Sequence, residues 1–233
     1  MGPLTQVFKR EFKSYFVSPI AYIVIAIFLL VAGWFFFSPF FLYNQASLRN
    51  FFTLLPMTFA FVVPAVTMRL LAEERNLGSH EILLTLPLTD KSVVIGKFLA
   101  ALALVAVMLV PTLVYAATVA LLGELDWGPV LGGYLGALLL ASAFTALGLM
   151  ASAMTRNQII AFITAAAICF ALTLLDRMLL FLPGGLISLL GFLGVESHFQ
   201  NIARGVLDSR DVLYFGSVTF VGLYGAVLGI AER

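Results

Sequence analysis

The sequence predicts an all-α polytopic membrane protein, and three observations carry that prediction. Hydrophobic residues make up 62% of the 233 and charged residues only 11%, against roughly 45–50% and about 25% in soluble domains. So little polar surface cannot cover a soluble fold, and the solvent must be lipid. Six long apolar stretches, at 19–41, 51–71, 92–122, 129–154, 159–175 and 212–230, meet or approach the roughly 20 residues that cross a bilayer. None alternates like a barrel strand, and backbone in lipid must satisfy its own hydrogen bonds, so all six are helices. The whole chain, 1–233, reads as a single transmembrane domain.

Taken in order, residues 3–17 come first. Leu4, Val7, Phe8, Phe12, Tyr15 and Phe16 share one helical face while Lys9, Arg10 and Lys13 lie elsewhere. This is an amphipathic helix suited to an anionic headgroup layer. The apolar run behind it is too long for a signal-peptide core and no A-x-A site follows, so it is a retained anchor. Lys and Arg set the orientation. With the N-terminus inside, Lys9, Arg10, Lys13, Arg69, Arg75, Lys91, Lys97, Arg156 and Arg233 fall at cytoplasmic ends, leaving Arg49, Arg177, Arg204 and Arg210 outside. The predicted topology is N-in and C-in, with Trp34 and Trp127 at outer interfaces.

Pro56, Pro64 and Pro111 are expected to kink the second and third spans. The third is too long to lie wholly in the bilayer, so it either begins in the cytoplasm or breaks near Pro111. Gly132 and Gly136 form a G-x-x-x-G motif extended by Ala137, Ala141, Thr145, Gly148 and Ser152, and Gly225 and Gly229 repeat the spacing. Such stripes let helices approach closely, but do not say whether the partner lies in the same chain or in a second copy. Residues 178–195 make a marginal seventh span, which Pro183-Gly184-Gly185 breaks into a re-entrant pair of short helices. Phe199, Ile202, Ala203, Val206 and Leu207 then recur at helical spacing with Gln200, Asn201, Arg204 and Asp208 opposite. That pattern predicts an amphipathic helix on the outer interface, so 177–208 forms an external re-entrant and amphipathic element.

Catalytic patterns are missing from the sequence. The only histidines are His80 and His198, Cys169 is the lone cysteine, and neither H-E-x-x-H nor G-x-S-x-G occurs. Gly96-Lys97 matches the end of a P-loop, but the opening glycine is absent and Phe98 stands where Ser or Thr is needed. No metal-ligand set or cofactor motif is present, and a net charge of +1 without a basic stripe excludes nucleic acid as a partner. No span carries an ionisable group near its centre, where ion-driven carriers place one. Lys97 and Asp176 lie near span ends, and Lys97 can snorkel toward the cytoplasm. The expectation is a non-enzymatic subunit powered by a partner.

Polarity gathers instead at EERNLGSHEILLTLPLTDK, residues 73–91. The second span is expected to continue as helix past Arg69 into Glu73, Glu74 and Arg75. Gly78 then breaks it, and Ser79 caps a short helix with Glu81 in its first turn. Pro87 ends that helix, and Thr89 or Asp90 caps the third span. A solvated loop would account for the charges alone. A short amphipathic helix would also account for Ile82, Leu83, Leu84 and Leu86, and suits a groove on a soluble partner.

The pattern E-E-R-x-x-G-S-x-E-x-L-L-T-x-P resembles the coupling segment between the second and third spans of ABC type-2 permeases. G-K-F-L-A at 96–100, N-Q-I-I-A-F at 157–162 and H-F-Q-N-I-A-R-G-V-L-D-S-R-D-V-L-Y-F at 198–215 resemble the gliding-motility-associated branch of that family. The resemblance implies that Glu73, Glu74, Arg75, Gly78, Ser79, Glu81 and Pro87 lie on a coupling helix, within 73–90, that docks on a cytoplasmic ATP-binding subunit. It implies that 3–17 is the connecting helix and that His198, Phe199, Arg204 and Asp208 belong to the external element. It implies two permease copies and two ATPases in a bacterial inner membrane, with ATP and Mg held on the ATPase and no cofactor in this chain. In the gliding branch an accessory membrane-anchored subunit with a large extracytoplasmic domain often accompanies the permease. The implied function is ATP-driven export; the alternative is a mechanotransmitter that moves an extracytoplasmic partner without passing cargo.

Overall fold

The computed structural model describes residues 2–43, 47–76, 89–178 and 191–231. Regular structure among these residues is helical: α1 (Pro3–Val17), α2 (Pro19–Tyr43), α3 (Arg49–Thr67), α4 (Ala72–Asn76), α5 (Asp90–Leu109), a 3-10 turn (Val110–Thr112), α6 (Leu113–Leu122), α7 (Trp127–Met154), α8 (Gln158–Met178), α9 (Val195–Ala203) and α10 (Ser209–Ala231). Among the described residues six stretches are long and apolar enough to cross a membrane: Pro19–Phe40, Arg49–Asn76, Asp90–Leu122, Trp127–Met154, Gln158–Met178 and Ser209–Ala231. Each overlies one of the six predicted spans. The Pro183-Gly184-Gly185 centre of the expected re-entrant pair lies outside the described residues.

Pro111, which lacks an N–H, does interrupt the third span, and α5 passes through the 3-10 turn into α6. Thr112 Oγ1 donates to the Leu109 carbonyl at 2.6 Å and pairs with Tyr134 Oη at 3.0 Å, so the turn's polar groups stay satisfied in lipid. Pro56 and Pro64, by contrast, sit inside an unbroken α3. That span breaks later, at 68–71, before resuming as α4. The expectation of continuous helix past Arg69 is therefore corrected.

Burial places α7 at the centre: 72% of its most apolar window is buried, against 22% for α2 and 28% for α8 and α10, which face lipid. Association in lipid depends on close packing, and the glycine stripes supply it within the chain. A Cβ on Gly222 of α10 would stand 2.7 Å from the Ala146 carbonyl carbon, and one on Gly229 3.2 Å from Ala153 Cβ. On Gly148 it would meet the Thr67 hydroxyl, and on Gly133 the Phe52 ring. Gly132 and Gly136 face Ile202 and Phe199, so the partner of the G-x-x-x-G motif is α9.

That contact also corrects the expected interfacial helix over 199–208. α9 stops at Ala203, and its apolar face, with Val195, Phe199 and Ile202 fully buried, packs against protein. Gly205 at φ +87° ends it. The Gly205 N–H donates to Ile202 O at 2.9 Å and the Val206 N–H to Asn201 O at 3.3 Å, the paired closure of a Schellman end. Val206 and Leu207 are exposed beyond it.

Ionic and polar ties hold α9 to its neighbours. Asp176 Oδ2, at the end of α8, accepts the Ser197 N–H at 2.9 Å, and Gly194 leaves room for that carboxylate. Arg177 grips Glu196 through two nitrogens at 3.0 and 3.1 Å. His198 Nδ1 lies 2.6 Å from Asp211 Oδ1 of α10 and Nε2 3.2 Å from Phe192 O, so each ring nitrogen faces an acceptor.

Candidate coupling site

At the opposite end of the bundle, α1 lies across α5. Gly96 makes this possible, since a Cβ there would meet Val7 Cγ1 at 2.8 Å. Val7 and Tyr15 are buried, while Lys9, Arg10 and Lys13 are exposed, as the amphipathic pattern requires. Phe8, Phe12 and Phe16 pack at the edge of an apolar cluster built on Leu70, Leu71, Val94, Phe98 and Leu149. Tyr15 Oη donates to Val66 O at 3.3 Å, and the Arg69 guanidinium sits 5.1 Å from the centre of its ring. Burial holds the Tyr15 phenol well above its ordinary pKa, with Arg69 opposing and Glu11 adding to the rise.

Lys97, one residue on from Gly96, is 1% exposed. It does not snorkel. Its Nζ lies 2.8 Å from Glu74 Oε1 and 3.2 Å from Glu11 Oε1. An unpaired buried ammonium would be costly, and two carboxylates supply the missing counter-charge. This single cation therefore joins α1, the root of segment 73–90 and the third span. Glu73 lines the adjoining polar cleft of about 260 Å³ together with Arg10, Glu11, Ser14, Arg69 and Glu74.

Two more ties hold the same root. Ser152 Oγ of α7 accepts the N–H groups of Leu71 and Ala72 at 3.1 and 3.0 Å and donates to Met68 O at 2.9 Å. One hydroxyl thus serves both sides of the break between α3 and α4. Ser152→Ala is expected to leave two buried N–H groups unanswered and lower stability by about 2 kcal/mol, read as a fall in melting temperature in detergent. Arg75, also buried, donates to the Gly229 carbonyl in the last turn of α10, where a cation is favoured by the helix dipole. The segment's other root is the N-terminus of α5, capped by Thr89, whose side chain accepts the Ser92 N–H.

Of the sequence-predicted coupling residues, Glu73, Glu74 and Arg75 are brought together at this joint, with Glu74 and Arg75 turned into the protein. Gly78, Ser79, Glu81 and Pro87 lie outside the described residues. His198, Phe199, Arg204 and Asp208 sit at the far end. There His198 and Phe199 are interior, while Arg204 and Asp208 are exposed. Sequence reasoning did not pick out Glu11 or the Ser152 hydrogen bonds. Glu11 carried a usable signal, because it falls four residues after Val7 and four before Tyr15, on the apolar face of α1.

No curated protein matches the sequence. The family model described as ABC-2 family transporter protein matches residues 6–193, from α1 and its Lys97 joint through the first five spans to the turn ahead of α9, and the chain belongs to that family of membrane transporter subunits.

Proposed function

We propose that this chain is the permease subunit of an ATP-driven exporter, half of a dimeric core in a bacterial inner membrane, with energy entering through residues 73–90. ABC-2 permeases work in general with a cytoplasmic ATP-binding subunit, which would hold the ATP and Mg and receive the coupling helix. The observation that carries this reading is the Lys97 joint. A push on segment 77–88 acts at once on α5 through Lys97, on α7 through Ser152 and on α10 through Arg75. The basic excess at this end supports its cytoplasmic placement.

A second reading is favoured by one feature of α10. The same helix holds the Arg75 contact at Gly229 and the His198 contact at Asp211, so displacement at one end reaches the external element directly. A mechanotransmitter acting through Arg204 and Asp208 on an extracytoplasmic partner, such as the accessory subunit of the gliding-motility-associated branch, would use that path.

The test is to solubilise the protein from native membranes and look for a co-purifying ATPase. Glu74→Ala and Arg75→Ala are expected to lower its vanadate-sensitive turnover several-fold, with complex assembly verified by gel filtration. No associated ATPase, or turnover indifferent to both changes, would overturn the coupling assignment. Turnover with no flux into vesicles would favour mechanotransmission.

A further inference from the structure

An apolar groove of about 680 Å³ runs along one face of α10, from Arg210 past Leu213, Tyr214 and Val218 to Val221, with Leu147 and Leu172 as its far wall. We propose that it holds a phospholipid of the adjoining leaflet, its acyl chains in the groove and its phosphate on Arg210. This assignment is independent of ATP coupling.

Length and charge each support that occupant. Arg210 to Val221 spans about 16 Å of helix, close to half of the roughly 30 Å hydrocarbon thickness. The groove therefore runs from the headgroup level to about the bilayer midplane, the reach of one leaflet's chains. The hydroxyls that line it are already used, Tyr214 donating to Leu193 O at 2.7 Å and Ser217 to Tyr214 O at 2.8 Å. Nothing in the shaft asks for a polar ligand.

The mouth differs. Arg210 stands in the first turn of α10, exposed, and its guanidinium has no ion-pair partner among the described residues. Of the two flanking acids, Asp208 takes the Arg210 backbone N–H at 3.0 Å and so caps its own turn. Asp211 is buried against His198. A planar cation at headgroup depth above an apolar shaft matches a phosphodiester with its chains below.

Native mass spectrometry of the detergent-purified chain, loaded with equal amounts of phosphatidylglycerol and a phosphate-free glycosyl diacylglycerol, tests this. Retention of phosphatidylglycerol over the glycolipid is expected, falling about tenfold in Arg210→Glu and also lost when Val218→Trp fills the shaft. Arg210→Glu alters an exposed side chain, and an unchanged melting temperature would verify its fold. Equal retention of both lipids, or retention indifferent to Arg210→Glu, would mean an unspecific crevice and overturn the proposal. A shift from dimer to monomer in Val218→Trp, without loss of lipid, would assign the groove to a second copy and overturn it equally.

Discussion

Lys97→Met is expected to lower the stability of the folded chain by about 3–5 kcal/mol, the largest loss from any single side chain described above. The reason lies in what remains. Glu11 and Glu74 both approach the same ammonium nitrogen, and their side chains are only 16% and 14% exposed. Without the cation, two acids stand close together with little water to spread their charge. Thermal unfolding in one detergent, followed by circular dichroism, would show the loss, and added salt would restore little of it because buried charges are weakly screened. Adding Glu11→Gln and Glu74→Gln to Lys97→Met should recover a substantial part, since most of the penalty is electrostatic rather than lost packing. A loss under about 1 kcal/mol in the single variant would mean that water reaches the carboxylates. The joint would then be open, and the proposed route from segment 77–88 to α5 would lose its physical basis.

Gly222→Ala and Gly225→Ala should part company although they lie one turn apart on α10. At Gly222 the new methyl would stand 2.7 Å from the Ala146 carbonyl carbon and 2.9 Å from the Leu147 nitrogen. Those are backbone atoms of the central helix and cannot move aside, so α7 and α10 must separate. The cost is about 2–3 kcal/mol. At Gly225 the obstacle is the Met150 side chain, with Sδ at 2.6 Å, and an unbranched thioether can rotate away. Alanine's advantage over glycine inside a helix, up to about 1 kcal/mol, then offsets much of the crowding. Parallel melting curves would read a difference of about 2 kcal/mol between the two variants. Equal effects would show that α7 and α10 do not pack as closely as the structure places them.

The two ends of the bundle show how much was legible beforehand. Segment 73–91 stood out because polar residues interrupt an apolar chain, and that is a local signal. Yet Glu74 and Arg75, which the pattern offers to a partner, turn inward, because residues remote in sequence bond to them: Lys97 at a separation of 23, and Gly229 at a separation of 154. At the far end, the helical spacing of Phe199, Ile202 and Leu207 suggested a helix in the headgroup layer. Gly205, directly after Arg204, was the available stop signal, and Gly132 with Gly136 was the available docking surface. The spacing of small residues says that something packs closely there, never what.

The sequence by itself therefore determined the solvent, the six spans, the amphipathic α1 and where polarity collects. Each depends on composition or spacing within one stretch of chain, and a bilayer imposes that requirement on every span separately. Only the tertiary structure decided that Lys97 is a buried joint, that Ser152 holds the break at 68–71, and that Gly132, Gly136 and Gly148 of α7 and Gly222, Gly225 and Gly229 of α10 are used within the chain. Those outcomes depend on contacts between helices far apart in sequence. In lipid, where apolar burial hardly distinguishes one neighbour from another, close packing and polar pairing select them.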